Sequence, residues 1–184
     1  MPKRVVNEAD LNRGLLAALN TKPNYSEAFT AEVRSLADVI GDVLSAPVEH
    51  DDDMNYSSAQ KIVVWLDRPG QPVPPKDRRA RYRLFDYVSS RAHYFAFVTL
   101  RLSDSTAGWR EMGLEKPGHY WVLVAEDDLP GKIRTLQKRI ASVMESRQYT
   151  PLEGPVLSHE VEGHITELDG KPATVFEVLF SEVY

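Results

Sequence analysis

The chain has 184 residues and a formal net charge of −5, with 42% hydrophobic and 27% charged residues. That composition belongs to a folded globular protein rather than a disordered one. The acidic balance argues against a general nucleic-acid binder, which needs a domain-wide positive charge. No cysteine is present, so disulfides, zinc–thiolate centres and cysteine nucleophiles are excluded, and a reducing cytoplasm fits. No apolar run approaches the roughly 18 residues of a membrane span. The N-terminal stretch is broken by Asn7, Glu8 and Asp10, which argues against a signal peptide.

The first expected element is a helix capped by Asn7, with Asp10 in its first turn and Leu11, Leu15 and Leu19 on one face. "NTKPN" at 20–24 ends it. A second helix follows, with Asn24 as its cap. Phe29, Val33, Leu36, Ile40, Val43 and Leu44 recur at three- and four-residue spacing up to Pro47. Two helices with a short connection form an antiparallel hairpin whose apolar stripe must cover a sheet.

"EHDDDMNYSS" at 49–58 reads as an acidic surface loop, and "QKIVVWLDR" at 60–68 as a β-branched, aromatic strand. "PGQPVPPKD" at 69–77 holds four prolines, which predicts a stiff exposed loop and forbids a central strand. Strands follow at about 79–88, 92–102 and 119–127. A third helix opens near Asp127 or Asp128 and buries Ile133, Leu136, Ile140, Val143 and Met144. The acids at its start and Arg147 at its end suit the helix dipole. "HITEL" at 164–168 reads as a strand. The last segment could return as a strand after Asp169-Gly170, but Thr174 and Glu177 spell a capping box, which favours a helix.

The order α-α-β-β-β-β-α-β-α predicts an α+β fold: a mainly antiparallel sheet of about five strands covered by the hairpin and one or two further helices. Residues 1–184 are expected to form one domain, with the hairpin in 1–48 and the sheet and its helices in 59–184.

The segment from 76 to 91 is the most distinctive. Arg78, Arg79, Arg81 and Arg83 occupy four of six positions, with Lys76 and Arg91 flanking them. On a strand starting at 79, Arg79, Arg81 and Arg83 would share one face at roughly 7 Å spacing. Such planar cations could grip phosphates or a carboxylate-rich partner, or simply pair with Asp77, Asp86 or the acidic loop. Asp51, Asp52 and Asp53 form the opposite charge cluster. Consecutive carboxylates diverge, and no calcium-loop pattern accompanies them, so no metal is expected.

Histidines give weaker signals. "SHEVEGHIT" places His159 and His164 one residue too far apart for the helical zinc-protease pattern, about 140° out of line. His164-x-Thr166 has the form of one half of a two-histidine phosphoesterase motif, but no second copy exists. His93 and His119 open apolar strands, where a histidine is more often a hydrogen-bonded structural residue than a base, and the two could face each other if their strands are neighbours. "LPGKIR" at 129–134 lacks the rest of a phosphate-binding loop. Tyr94, Phe95, Phe97, Tyr120, Trp121 and Trp65 would line either a pocket or, more simply, the core.

These features favour a non-enzymatic protein that binds another macromolecule, most simply a protein, through a charged surface and without a cofactor. An inhibitor or immunity-type protein fits on size and charge. The binding residues expected are Arg78, Arg79, Arg81, Arg83, Arg91 and Asp51, Asp52 and Asp53. The alternative is a protein or enzyme acting on a phosphate ligand or nucleic acid, with Arg79 to Arg83 as the clamp and His93 or His119 as the acid or base.

Overall fold

The structure is a computed structural model that describes residues 12–54, 57–103, 119–166 and 170–181. The first helix, α1 (Arg13–Leu19), is capped by Asn12, whose side chain accepts from the Leu15 amide. The expected Asn7 cap and the Leu11 position lie outside the described residues. Helix α2 (Glu27–Leu44) starts two residues later than Asn24 implied. Ser26 caps it by accepting from the Phe29 amide at 3.3 Å, and Asn24 braces Ser26. Five of the expected stripe residues, Phe29, Val33, Leu36, Ile40 and Leu44, are buried, whereas Val43 is 39% exposed.

Then come β1 (Glu49–Asp51), β2 (Ala59–Leu66), β3 (Pro72–Val73), β4 (Tyr82–Ser89), β5 (Tyr94–Leu102) and β6 (Trp121–Leu123). Helix α3 (Gly131–Ser146) follows a single 3₁₀ turn at Glu126–Asp128, so the acids precede the helix rather than opening it. The rest of the chain adds β7 (Thr150–Pro151), β8 (Glu160–Ile165), β9 (Pro172–Thr174) and α4 (Val175–Phe180). The expected capping box is formed: Thr174 accepts from the Glu177 amide, and Glu177 accepts from the Thr174 amide at 2.7 Å.

A seven-stranded sheet runs β1-β2-β4-β5-β6, with β3 beside β2 and β7 beside β5. Every pairing is antiparallel except β5 with β7. The α+β class therefore holds, with more strands than the pattern suggested because three of them, β1, β3 and β7, are too short, at two or three residues, to show in it. The proline-rich segment contributes one of them. Pro72 and Val73 pair with Leu66 and Trp65 on the outer side of β2. An edge strand tolerates proline because its outward amide has no ladder partner to lose.

Strand alternation divides the side chains between two faces. Ile62, Val64 and Leu66 of β2, Leu84 and Val88 of β4, and Phe95 of β5 pack under α2 and α3. The other face is covered at one end by α1 and α4, through Leu15, Leu19, Val178 and Phe180, so α1 and α2 pack on opposite faces of the sheet and do not form the expected hairpin over one of them. Its far end holds a smaller cluster of Val63, Trp65, Val73 and Ala80, with Phe85 and Trp121 against it. The loop that brings Val73 there turns at Gly70, whose φ is +81°. A Cβ at Gly70 would lie 3.3 Å from Ile133 Cγ1, so both backbone angle and space require glycine.

Candidate functional site

The arginine-rich segment does not form one strand face. Strand β4 begins at Tyr82, so Arg79 and Arg81 lie in the turns before it, and only Arg83 projects from the sheet. The three have different partners. Arg79 forms a fork with Asp77, with Nη2 donating at 2.8 Å and Nε at 3.1 Å. Asp77 also accepts from the Arg79 amide, and these bonds hold its carboxyl down to about 2. Arg81 donates through Nη1 to the Arg78 and Ala80 carbonyls at 3.0 and 2.9 Å. Arg91 donates to Ser58 Oγ and to the Thr21 carbonyl, tying the β4–β5 turn to the end of α1. Arg78 is exposed.

Arg83 is held differently. Its Cζ lies 4.0 Å from the ring centroids of both Trp65 and Trp121. The two indoles meet edge to face, 6.0 Å apart and at 89°. Trp65 stands directly across the ladder from Arg83, and Trp121 reaches in from the far side of β5. Arg83 Nε is buried without a hydrogen-bond partner. Burial pulls the guanidinium down from its usual value, and the charge of Glu49 opposes that shift. A cation against two indole faces gains about 0.5–2 kcal/mol from each ring quadrupole, depending on desolvation.

Arg83 lines a cleft of about 290 Å³ together with Glu49, Asp51, Val63, Trp65, Lys76 and Phe85. The carboxylates there are already engaged. Glu49 Oε2 accepts from Trp65 Nε1 at 2.7 Å, and Oε1 lies 3.5 Å from Lys76 Nζ. Asp51 Oδ2 is 2.8 Å from Lys61 Nζ. Lys61 lies outside the cleft lining, so the charges that line it, Glu49 and Asp51 against Lys76 and Arg83, balance; Arg83 is the one of them with no ion pair of its own among the described residues. Asp52 stands 4.0 Å from Arg34, both well exposed. The Asp53 amide donates to Asp51 Oδ1. The acidic stretch expected to be a loop is therefore partly an edge strand, and Glu49 and Asp51 brace the arginine site.

His93 and His119 do not meet. His93 precedes β5 and stacks on Tyr149, with ring centroids 4.7 Å apart. His119 sits by the other end of that strand, its Nδ1–H donating to the Ser103 carbonyl at 2.7 Å. Ten residues of extended chain, roughly 30 Å, lie between these points. His159 Nδ1 is buried without a partner, and His164 lies on β8. Among the described residues no cluster of His, Cys, Asp and Glu could hold a metal ion. The aromatic residues divide as the strand pleat requires. Phe95 and Phe97 are on the α2–α3 side, and Trp65 and Trp121 are on the opposite side.

The sequence reading offered Asp86 as a surface partner for the arginines, and the structure buries it instead on the opposite face. Asp86, on β4 between Leu84 and Val88, faces α2 and α3 and is 1% exposed. Neither carboxyl oxygen has a hydrogen-bond partner, and burial raises its pKa well above the usual carboxylate value. The protonated, neutral acid is therefore the form the fold prefers. The signal was present in the alternation, because Asp86 occupies a core position in "YRLFDYV".

Comparison of the chain with protein-family models, curated proteins and solved structures gave no significant match.

Proposed function

We propose that this chain is a non-enzymatic binding protein that docks another protein on the open face of its sheet, with Arg83 receiving a carboxylate of the partner. The supporting observation is the Arg83 stack. Two indoles hold the guanidinium, and its local carboxylates are committed to Lys76, Lys61 and Trp65. A long side chain normally loses rotamer entropy on binding, and one clamped beforehand loses less. Tryptophan and arginine are also the residues most often found at binding hot spots. Phe85 and Lys76 at the same cleft supply an apolar floor and a charged rim. An inhibitor-type protein acting in the cytoplasm, neutralising its target by covering a site, is the form this activity would take.

Phosphate would also fit a guanidinium fork. A dianion gains less here, because Glu49 and Asp51 line the same cleft and offset Lys76 and Arg83. Among the described residues lining the cleft there is no histidine, so the phosphate reading has no acid–base group beside Arg83 to draw on.

The test is affinity capture from the native source with wild type, Arg83→Glu and Arg79→Glu. A specific protein retained by wild type and Arg79→Glu but lost with Arg83→Glu supports the proposal. A partner indifferent to Arg83→Glu, or captured nucleic acid in place of protein, overturns it.

A further inference from the structure

The outer edge of β5 is paired at both ends and unpaired in the middle. Strand β7 takes Tyr94 and Phe95, and β6 takes Leu100 to Leu102. Phe95 and Thr99 turn their carbonyls outward, accepting at 2.9 Å from the Leu152 and Val124 amides respectively. Backbone groups along a strand alternate between its two edges. Phe97, midway between those two residues, therefore turns its own N–H and C=O outward as well. Neither group has a hydrogen-bond partner among the described residues.

A cleft of about 160 Å³ lies against this stretch of the edge. Phe97 belongs to the α2–α3 face and Val98, opposite Phe85, to the other face, yet both line the cleft. Leu129 borders it from the first face and Leu157 from the second. Consecutive residues that point to opposite faces can border one cleft only where it straddles the sheet edge. The surface they share with it is their backbone. The walls are apolar, and the rim carries Glu126 and Glu153, both exposed.

These features define a ligand. Strands β6 and β7 block the edge on either side of Phe97, so no further strand can add there and only a small molecule reaches it. The 160 Å³ volume resembles the apolar cavities of about 150 Å³ that admit benzene, which sets the size at about six non-hydrogen atoms. An N–H and a C=O on one residue call for an acceptor and a donor held side by side. A primary carboxamide presents both on one planar group, whereas a carboxylate has no donor and an ammonium no acceptor. The carboxylates of Glu126 and Glu153 also repel an anion. We propose that the cleft binds a small primary carboxamide with a short hydrocarbon body. Its oxygen accepts from the Phe97 amide, and its NH₂ donates to the Phe97 carbonyl. The cleft shares no lining residue with the Arg83 cleft.

The experiment is a titration of the isotope-labelled full chain with butyramide, followed through the backbone amide resonances. Two compounds of the same shape serve as controls. Pentan-2-one carries a methyl in place of the NH₂ and keeps only the acceptor. Butyrate carries a second oxygen there, which removes the donor and adds a negative charge. Butyramide should move the Phe97 amide proton downfield in a saturable manner, at about 1–10 mM for a ligand of this size. It should also slow that proton's exchange with solvent. The Ala96 and Val98 amides, which face β4, should move less. Pentan-2-one, one hydrogen bond short, should bind about fivefold more weakly, and butyrate should leave the Phe97 amide unmoved. Equal binding of pentan-2-one and butyramide overturns the proposal, as does equal binding of butyrate. A Phe97 amide that neither shifts nor exchanges more slowly with butyramide overturns it as well.

Discussion

Arg83 and Asp86 stand three positions apart on the same strand, on opposite faces of one sheet, and neither forms an ion pair. Their surroundings resolve that isolation in opposite ways. Arg83 keeps its charge, because a guanidinium can rest on the π faces of Trp65 and Trp121 while its edge reaches the cleft. Asp86 has no such recourse. Sealed beneath α2 and α3 with neither oxygen bonded, it survives by holding its proton. An unpaired charge therefore indicates a binding site only where its hydrogen-bonding edge is open. The same lack of a partner in a closed core is a stability defect.

The comparison can be broken first at its aromatic support. Trp65 is 6% exposed and bonded to Glu49. Trp65→Ala should cost about 3–5 kcal/mol in unfolding free energy and should also release Arg83, measured by urea denaturation and by broadening of the Arg83 side-chain NMR signal. Asp86→Val should act in the opposite direction, raising stability at pH 7 by about 1–3 kcal/mol, because an apolar group of similar size replaces an unbonded polar one. The sign of its pH dependence follows from the raised pKa. The native state binds the Asp86 proton more tightly than the unfolded chain does. Its contribution is thus fully present below the unfolded value of 3.8 and is lost as pH rises towards the higher native value. Denaturation of wild type and Asp86→Val from pH 4 upwards should give a stability gap that widens with pH.

Arg83→Leu loses both ring contacts, about 0.5–2 kcal/mol each, but removes the unbonded buried Nε and gains apolar burial between the indoles. Stability should therefore fall by no more than about 2 kcal/mol while partner capture is abolished. Arg83→Lys should fail to restore capture, because an ammonium lacks the planar fork. The smallest effect belongs to Arg79→Ala. Its pair with Asp77 is solvent-facing, and such exposed pairs contribute little to stability. The Asp77 carboxyl should nonetheless titrate closer to its ordinary 3.8 in that variant than at its native value of about 2, which carboxyl-carbon NMR would read directly.

Much of the fold was legible because it follows from periodicity. The stripe Ile133, Leu136, Ile140, Val143 and Met144 is buried as its spacing requires, and the Thr174–Glu177 box starts α4. Short elements were less legible. Val73 is buried in an edge strand that prolines on either side disguise. The candidate site was half visible. Arginine density drew attention to residues 78–83, but density does not distinguish Arg79, fixed by a carboxylate two residues away, from Arg83, fixed by indoles distant in sequence. Trp65 and Trp121 are 56 positions apart, and only the β2–β4–β5–β6 order brings them to one guanidinium. Asp86 was hidden for the opposite reason. An acid within a strand was credited to surface pairing, although its alternation with Leu84 and Val88 already placed it inside.

The central claim is that Arg83 is a preorganised receptor for a carboxylate. It is tested most directly by following the Arg83 guanidinium Nη–H resonances while the protein is titrated with a short glutamate-rich peptide and, separately, with inorganic phosphate. The peptide should move those resonances in a saturable manner, more strongly than phosphate at equal concentration, and without moving the Arg79 signal. Resonances unmoved by the peptide, or moved by phosphate alone, would contradict it.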